Sequence, residues 1–400
     1  MDFYKSNQLA YQNFLLAKYE RFTGEILVKS YPYFLGIDPS SICQLRCPTC
    51  PTGVENESRR SGSKIKFRNR TMLTQELFDA VIDELGEYLF LIMFYNWGEP
   101  LLNKSLSSYI RKAKEFNIYT EIHTNLSIRI SDQFIEDLLC SGIDDIAASI
   151  DGFSHESYQT YRRGGNFGLV KENIERLACA RDKLDLNTNI IWNFLVFSFN
   201  EHEIEDTRRY CAELGIIFNQ REAFIDNPDW LPSYRKREIK IDESIQKKIR
   251  DIVQAFNPKK REMKKSSCAW HYSYSVVNAD GSVSPCCAPW EQEHDFGTIK
   301  PGYISFADIW NNNKFRKSRS AFAHKPIKEL NQVNTICLQC PYGENIQDLY
   351  SPLDVEVINQ FDRVYGDSGT VLKQAFETYK NQKQFVDFFE NNILNKLPED

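Results

Sequence analysis

The chain has 400 residues, of which 42% are hydrophobic and 26% are charged. These ordinary values exclude a disordered protein, and the length predicts one large body with smaller attachments. The net charge of −6 argues against a nucleic-acid partner, because nucleic-acid-binding proteins normally carry a basic excess.

Apolar runs rich in β-branched and aromatic residues alternate with segments of helical period. Strands are predicted at 33–37, 89–95, 119–123, 145–150, 187–197 and 215–219. Helices are predicted near 74–86, 104–116, 131–141, 168–184 and 201–214. This alternation implies right-handed crossovers and a parallel sheet, as in an open or closed β/α barrel. Chemistry in such sheets gathers at the carboxyl ends of the strands.

The pattern changes on both sides of this region. Residues 1–30 have helical spacing and predict an N-terminal helical extension before a barrel at 31–225. We expect a linker at 226–267 that contains one helix near 242–256. A small cysteine-rich domain is expected at 268–345, followed by C-terminal helices at 346–400.

Two absences suggest where the protein works. The longest apolar runs, 89–95 and 190–199, are far shorter than the roughly 18 residues that a membrane span needs. The first residues do not resemble a secretory signal, which places a charged segment before an apolar one. The sequence therefore predicts no membrane span and a cytoplasmic protein, in which thiols stay reduced.

The odd number of cysteines, eleven, argues against a disulfide framework. Cys140, Cys179 and Cys211 occur singly in helical segments and are interpreted as small buried apolar residues. The other eight fall into one group near the front of the chain and one near the back. Such grouping in a cytosolic protein indicates metal binding.

The front group follows the first predicted strand. Cys43, Cys47 and Cys50 form a CxxxCxxC motif, named here the front cysteine triad. Three thiolates can hold three irons of a 4Fe–4S cluster and leave the fourth iron open for a substrate or cofactor. A structural zinc site is an alternative, although it prefers four closed ligands and no histidine lies nearby in the sequence. A chance grouping of cysteines in a loop is a third alternative.

The sequence ICQLRCPTCP around this triad resembles the signature of the radical S-adenosylmethionine (SAM) superfamily. The resemblance implies a partial six-stranded β/α barrel with the motif after its first strand. It implies that the open iron binds SAM, and that reduction of the cluster cleaves SAM to methionine and a 5′-deoxyadenosyl radical. The cofactors supply that chemistry, with a flavodoxin- or ferredoxin-type protein expected as electron donor.

The end of the second predicted strand strengthens the resemblance. Residues 96–100 stand where the superfamily has a Gly-Gly-Glu segment, with Trp97 in place of the first glycine. By this resemblance, Gly98 lets the backbone approach the methionine moiety of SAM, and Glu99 accepts a hydrogen bond from its ammonium group. Taken alone, a Gly-Glu-Pro sequence is also typical of a helix start.

Two more strand ends carry similar segments. Residues 123–125 resemble the superfamily's Thr-Asn-Gly, which assigns Asn125 to the SAM site, although Leu126 stands in place of glycine. Ser149 and Arg162 fall where related enzymes contact the ribose and carboxylate of SAM. Each position alone is equally typical of a turn or a solvated side chain, but their order beside CxxxCxxC favours a SAM pocket.

The back group is spaced as C-x12-G-x4-C, a long gap, and CxxC. The back cysteine set comprises Cys268, Cys286, Cys337 and Cys340, and Cys287 is a possible replacement for Cys286. Four thiolates can close one 4Fe–4S cluster, and a zinc ribbon is the alternative. The order resembles the first part of the SPASM extension of radical SAM enzymes, in the shorter single-cluster form called twitch. An Asp-Gly pair within 272–285 also predicts a β-hairpin.

A basic segment, 59–70, holds six positive charges. It is interpreted as a solvated loop, with a lid over an anionic substrate as the alternative.

The sequence thus predicts an α/β protein: a partial (β/α)6 radical SAM barrel, a small cysteine-rich α+β domain of twitch or SPASM type, and C-terminal helices. The expected cofactors are two 4Fe–4S clusters and SAM. The expected activity is hydrogen abstraction from an unactivated C–H bond by the 5′-deoxyadenosyl radical, most economically dehydrogenating a small polar sugar- or aminocyclitol-like substrate. One alternative is a maturase of ribosomally made peptides, and another is a non-catalytic iron–sulfur or zinc protein.

Overall fold

The computed structural model of the protein describes residues 8–62, 66–223, 227–235, 268–340, 352–366, 369–370 and 373. The helix expected near 242–256 lies outside these ranges. None of the described helices is both long and apolar enough to span a membrane.

The strands of the described residues all belong to one sheet. They are β1 (Phe34–Ile37), β2 (Leu91–Met93), β3 (Tyr119–Thr124), β4 (Asp145–Ser149), β5 (Asn189–Val196), β6 (Ile217–Glu222), β7 (Tyr274–Val277), β8 (Ser282–Ser284) and β9 (Gly297–Thr298). Their order is β6-β5-β4-β3-β2-β1-β7-β8-β9, with β1 to β6 paired in parallel. The six predicted strands are confirmed, and they form an open barrel rather than a closed one.

Helices cross between these strands and continue beyond them. They are α1 (Leu9–Thr23), α2 (Pro51–Arg60), α3 (Gln75–Leu85), α4 (Leu106–Glu115), α5 (Asp132–Leu139), α6 (His155–Tyr161), α7 (Phe167–Lys183), α8 (Ile204–Glu213), α9 (Trp270–Ser273), α10 (Phe306–Trp310), α11 (Asn313–Phe322), α12 (Pro352–Ile358) and α13 (Phe361–Tyr365). Side-chain caps fix several starts, as where Thr74 Oγ1 accepts from Leu77 N at 3.3 Å and Ser131 Oγ from Phe134 N at 3.1 Å. The five predicted crossover helices are confirmed, whereas α2 and α6 were not predicted.

The cysteine-rich region extends the barrel sheet. Strand β7 pairs in parallel with β1, with Phe34 opposite Tyr274 and Ile37 opposite Val277. Strands β7 and β8 form the predicted antiparallel hairpin, and Gly281 takes a φ of +82° in its turn, where glycine is favoured. The back cysteine set is therefore attached directly to the edge strand that precedes the front triad.

The sheet has two different faces. On the outer face, alternate residues such as Ile92, Ile122 and Ile146 join the main apolar core beneath the helices. At the amino ends of the strands, the inner face is closed by aromatic residues that pack against α1, α12 and α13. A buried ion pair joins these terminal elements, with Lys18 Nζ 2.6 Å from Asp354 Oδ2. The barrel is thus plugged at the end opposite the expected chemistry.

Two predictions about single residues are wrong. Cys140 and Cys179 are exposed, and only Cys211 is buried as expected. Cys140 follows the last residue of α5, and Cys179 lies outside the buried stripe of α7.

The basic segment is not simply a solvated loop. Its first residues belong to α2, and residues 63–65 are not described. Arg68 is buried, and its guanidinium donates to both carboxylate oxygens of Asp295 at 2.7 and 2.8 Å. The segment therefore connects the front of the chain to the cysteine-rich region.

Candidate active site

The front triad lies in the loop between β1 and α2. Asn56 on α2 holds this loop, because its Nδ2 donates to the carbonyl oxygens of Cys43 at 2.8 Å and Leu45 at 2.7 Å. Gly53 allows the helix to approach, since a Cβ there would lie 2.3 Å from the Cys47 carbonyl oxygen. Local packing thus fixes the conformation of this loop independently of any cofactor.

The three thiols lie near one another at the carboxyl ends of the strands. Cys47 is buried, while Cys43 and Cys50 are partly buried. Burial raises the pKa of Cys43 well above its usual range and that of Cys47 to about 11, and negative charge on neighbouring thiols adds to both shifts. A positively charged group would therefore favour their deprotonation.

Two donors, one after β3 and one at the end of α6, approach these sulfurs. Asn125 Nδ2 lies 3.6 Å from Cys43 Sγ, and Arg162 Nη1 lies 3.9 Å from Cys47 Sγ. Arg162 is held in place by Asp151, whose Oδ2 accepts from its Nε at 2.6 Å. Two of the residues expected at the SAM site thus contact the front triad, and Asp151 is a partner that the sequence did not single out.

Glu99 connects two of these strand ends. It is 1% exposed, and its carboxylate accepts from Thr124 Oγ1 at 2.6 Å, Asn125 N at 2.8 Å and Leu101 N at 3.1 Å. Burial raises its pKa to about 6, although these hydrogen bonds oppose the shift. Glu99 therefore positions Asn125 whatever else it binds.

The backbone differs in what it requires at the glycine that is kept, Gly98, and at the glycine position that Leu126 occupies. A Cβ at Gly98 would lie 1.5 Å from the Ser40 carbonyl oxygen, so no side chain fits there. Leu126, in place of the second glycine, has a φ of +51°, a conformation that glycine adopts more easily. Ser149 ends β4 on the inner face, opposite Asn193.

The back cysteine set forms a second group of thiols. Burial is the main cause of the raised pKa of Cys286, and negative charge on Cys337 and Cys268 raises it further. Burial likewise raises the pKa of Cys337, with smaller contributions from Cys268 and Cys340. Charges on Cys286 and Cys287 both raise the pKa of Tyr274 on the inner wall of the barrel, and charge on Cys287 also raises that of Tyr95. Cys286 is partly buried, whereas Cys287 is exposed.

The donor chemistry of both groups fits iron–sulfur clusters. Among the described residues, no three His, Cys, Asp or Glu side chains converge closely enough to hold a single metal ion. A zinc site needs all its sulfurs about 2.3 Å from one point. In a 4Fe–4S cluster each iron takes its own thiolate, so groups of three and four neighbouring cysteines fit such clusters.

Polar side chains line the inner face of the barrel between the two cysteine groups. Glu121 and His123 point inward from β3, and Tyr95 follows β2. From the far side, Asn219 Nδ2 donates to Asn193 Oδ1 at 2.7 Å. No residue of this polar wall was predicted from the sequence, although polar residues at alternate positions of a strand indicate a polar face.

Comparison with known proteins identifies the arrangement. Residues 37–211 match the model of the radical SAM superfamily, and residues 268–341 match that of SPASM, an iron–sulfur cluster-binding domain. The chain belongs to the radical SAM superfamily. As a radical SAM enzyme with a SPASM domain, it uses SAM and more than one 4Fe–4S cluster.

Relatives of known activity are distant. The chain is 24% identical to the PqqA peptide cyclase of Granulibacter bethesdensis over 283 residues, 67% of this chain and 71% of the cyclase. It is 25% identical to the dTDP-4-amino-4,6-dideoxy-D-glucose ammonia-lyase of Streptomyces venezuelae over 238 residues, 58% of this chain and 46% of the lyase. The crystal structure of Streptococcus suis SuiB bound to S-adenosylmethionine is similar in fold, with a TM-score of 0.50 at 15% identity, covering 77% of this chain and 72% of that one.

Proposed function

We propose that this radical SAM enzyme dehydrogenates a small polar substrate of the sugar or aminocyclitol class. The cofactors supply a 5′-deoxyadenosyl radical that removes a hydrogen atom from an unactivated C–H bond. The front triad would hold the SAM-binding cluster, and a flavodoxin- or ferredoxin-type protein would supply the electron. The protein's own residues bind the substrate, orient it and shield it from water.

The observation that carries the proposal is the polar inner wall of the barrel. Carboxylate, imidazole, phenol, amide and guanidinium groups are contributed by Glu121, His123, Tyr95, Asn193 and Arg221. Such groups suit the hydroxyl and amino groups of a polyol, whereas an apolar substrate would leave them without partners. The aromatic plug below limits the depth of the site, which favours a small molecule.

SAM would lie above this wall. Asn125 and Arg162 both touch thiols of the front triad, and Glu99 fixes the backbone of Asn125. We assign these residues, with Gly98 and Ser149, to the SAM pocket, because four of the five lie at or after strand ends beside the triad and Arg162, at the end of α6, contacts Cys47. In this role Gly98 offers backbone only, since its α-carbon is packed against Ser40.

The back cysteine set supports oxidation as the outcome. Four thiolates leave no iron open for substrate, so a cluster there suits electron transfer rather than substrate binding. Tyr274 on β7 is near enough to Cys286, Cys287 and Glu121 for their charges to raise its pKa, after burial. The cysteine-rich region therefore approaches the polar wall on which we place the substrate.

A peptide maturase is the second candidate. Sequence similarity to a peptide cyclase favours it. Strand β6 is also the outermost described strand of the sheet, and its Asn219, Gln220 and Arg221 are exposed. An extended peptide could pair with that edge.

The test compares the two substrate classes directly. Anaerobically reconstituted, dithionite-reduced enzyme is incubated with SAM and either cyclitols and aminosugars or peptides encoded near its gene. Dehydrogenation predicts 5′-deoxyadenosine together with a polyol product two hydrogens lighter. Product from peptides alone would reject the proposal in favour of the maturase.

A further inference from the structure

The inner wall contains a pair of hydrogen-bonded titratable groups that neither the front triad nor the back set uses. Glu121 lies in the middle of β3 and is 8% exposed. Its carboxylate Oε1 accepts a hydrogen bond of 2.7 Å from Tyr95 Oη. Tyr95 is fixed in turn by stacking on His123, with ring centroids 3.8 Å apart and 9° between the planes. The carboxylate is therefore held in one orientation on the wall.

Its position suits contact with a substrate. Glu121 precedes Asn125 by four residues on the same strand, which is about 13 Å along the strand axis. Asn125 touches the front triad, so this length leaves room for SAM and a small molecule above the carboxylate. On another side, Glu121 is near enough to Tyr274 to affect its pKa, as are two thiols of the cysteine-rich region. Glu121 thus shares a strand direction with the front triad's neighbour Asn125 and an electrostatic environment with the cysteine-rich region.

Charged and titratable groups surround Glu121 on its own strand, on the elements beside it and on strands further along the sheet. These are Tyr95 after β2, His123 on β3, Asp145 on β4, Arg221 on β6 and Tyr274 on β7. Burial raises the pKa of Glu121 to about 7 and Asp145 adds to the rise, while Tyr95 and Arg221 oppose it. Burial lowers the pKa of His123 to about 4, so that imidazole is neutral near pH 7. A carboxylate of this kind is matched to accept protons near neutral pH.

The geometry points to Glu121, oriented by Tyr95, as the base that accepts the hydroxyl proton when a secondary alcohol of the substrate is oxidised to a ketone. This inference rests on the proposed function. The C–H hydrogen atom goes to the 5′-deoxyadenosyl radical and forms 5′-deoxyadenosine. The O–H bond breaks and its proton binds the Glu121 carboxylate. The remaining electron goes to a one-electron acceptor of the iron–sulfur class, so that atoms and charge balance.

The first test is Glu121→Gln in the full chain with both clusters and SAM, assayed with myo-inositol and D-glucosamine. Glutamine keeps the shape and can accept from Tyr95, but it cannot take a proton. We expect 5′-deoxyadenosine formation to continue, while ketone formation falls on the order of 10²–10⁴-fold. Calorimetric binding of the same probes to the unreduced enzyme should persist, which separates loss of the base from loss of the site. Glu115→Gln, an exposed glutamate on α4, is the matched control.

The second test is the pH profile of ketone formation. In the wild type the rate should fall as the pH drops through about 7, because Glu121 becomes protonated. This acidic limb should vanish in Glu121→Gln. Tyr95→Phe removes a hydrogen-bond donor that favours the ionised Glu121 carboxylate, so the pKa of Glu121 should rise. The acidic limb of the variant's pH profile should therefore move to higher pH, a shift that a purely structural role of Tyr95 would not produce.

Each outcome decides a different point. Unchanged ketone yield and an unchanged acidic limb in a folded Glu121→Gln variant would overturn the assignment while leaving the proposed function standing. Absence of polyol binding and of ketone in the wild type, with SAM still cleaved, would overturn the proposed function and the inference with it. Loss of probe binding in Glu121→Gln alone would make Glu121 a recognition residue and reject the proton-transfer role.

Discussion

Arg68 is the clearest single point at which to test how the cysteine-rich region is joined to the barrel. Its guanidinium binds Asp295 through both carboxylate oxygens, and the two side chains are only 8% and 5% exposed. Arg68→Ala would leave Asp295 buried without its cation. Removing one partner of a buried pair costs about 3–5 kcal/mol. Ser284 still donates to Asp295, which places the expected loss near the lower end of that range.

A second carboxylate gives this prediction a pH dependence. Burial raises the pKa of Asp38 from 3.8 to about 7, and Arg68 is the charge that most opposes the rise. Between these two values the folded chain holds a proton that the unfolded chain has lost, so lower pH favours folding. Without Arg68 the folded-state pKa should rise further. The destabilisation should therefore shrink as the pH falls from that higher value to about 7, and stay constant below it.

The assay is urea unfolding of anaerobically reconstituted protein, followed by tryptophan fluorescence at several pH values. Arg60→Ala is the matched control, because its side chain and that of its partner Glu57 are 67% and 41% exposed, and a solvent-screened pair of this kind contributes little to stability. A loss below about 1 kcal/mol for Arg68→Ala, or one that does not change with pH, would refute the reasoning.

Three further predictions concern the cofactors. Anaerobic reconstitution should give about eight irons per chain. Replacing the front triad by alanine should remove roughly half of these irons and abolish SAM cleavage, whereas stoichiometric zinc at either site would contradict the prediction. Glu99→Ala should weaken SAM binding, measured by calorimetry, on the order of tenfold to hundredfold without emptying the front cluster, because a buried charge-assisted hydrogen bond is lost. Unchanged affinity would mean that Glu99 makes only its internal contacts. Cys337→Ala with Cys340→Ala should preserve 5′-deoxyadenosine formation but give little oxidised substrate, and a normal product yield from the folded variant would reduce the back cluster to a structural role.

The sequence by itself determined the features that depend on short-range pattern. The six parallel strands follow from alternating apolar runs and helical segments, since each period is set by neighbours a few residues away. The cysteine spacing likewise predicted the superfamily, because a cluster needs its thiolates at close intervals along the chain. Of the residues predicted for the SAM site, Asn125 directly follows β3, whereas Arg162 ends α6, a helix that was not predicted.

The tertiary structure decided whatever depends on residues far apart in the chain. The pairing of β7 with β1, and of Arg68 with Asp295, joins segments more than two hundred residues apart. Local sequence carries no information about such partners, so a buried arginine and a solvated one look alike in it. The same holds for Cys286 and Cys287, which are adjacent in sequence but face different surroundings.

The polar wall around Glu121 shows why the surroundings of a buried polar group depend on the tertiary structure. A polar residue on a strand is favourable only where the fold gives it a partner or water, and Tyr95 supplies that partner from another strand. The alternation along β3 could have predicted which side chains share a face. Only the curvature of the sheet, which brings β2, β4, β6 and β7 around that face, makes the carboxylate a buried group with a shifted pKa.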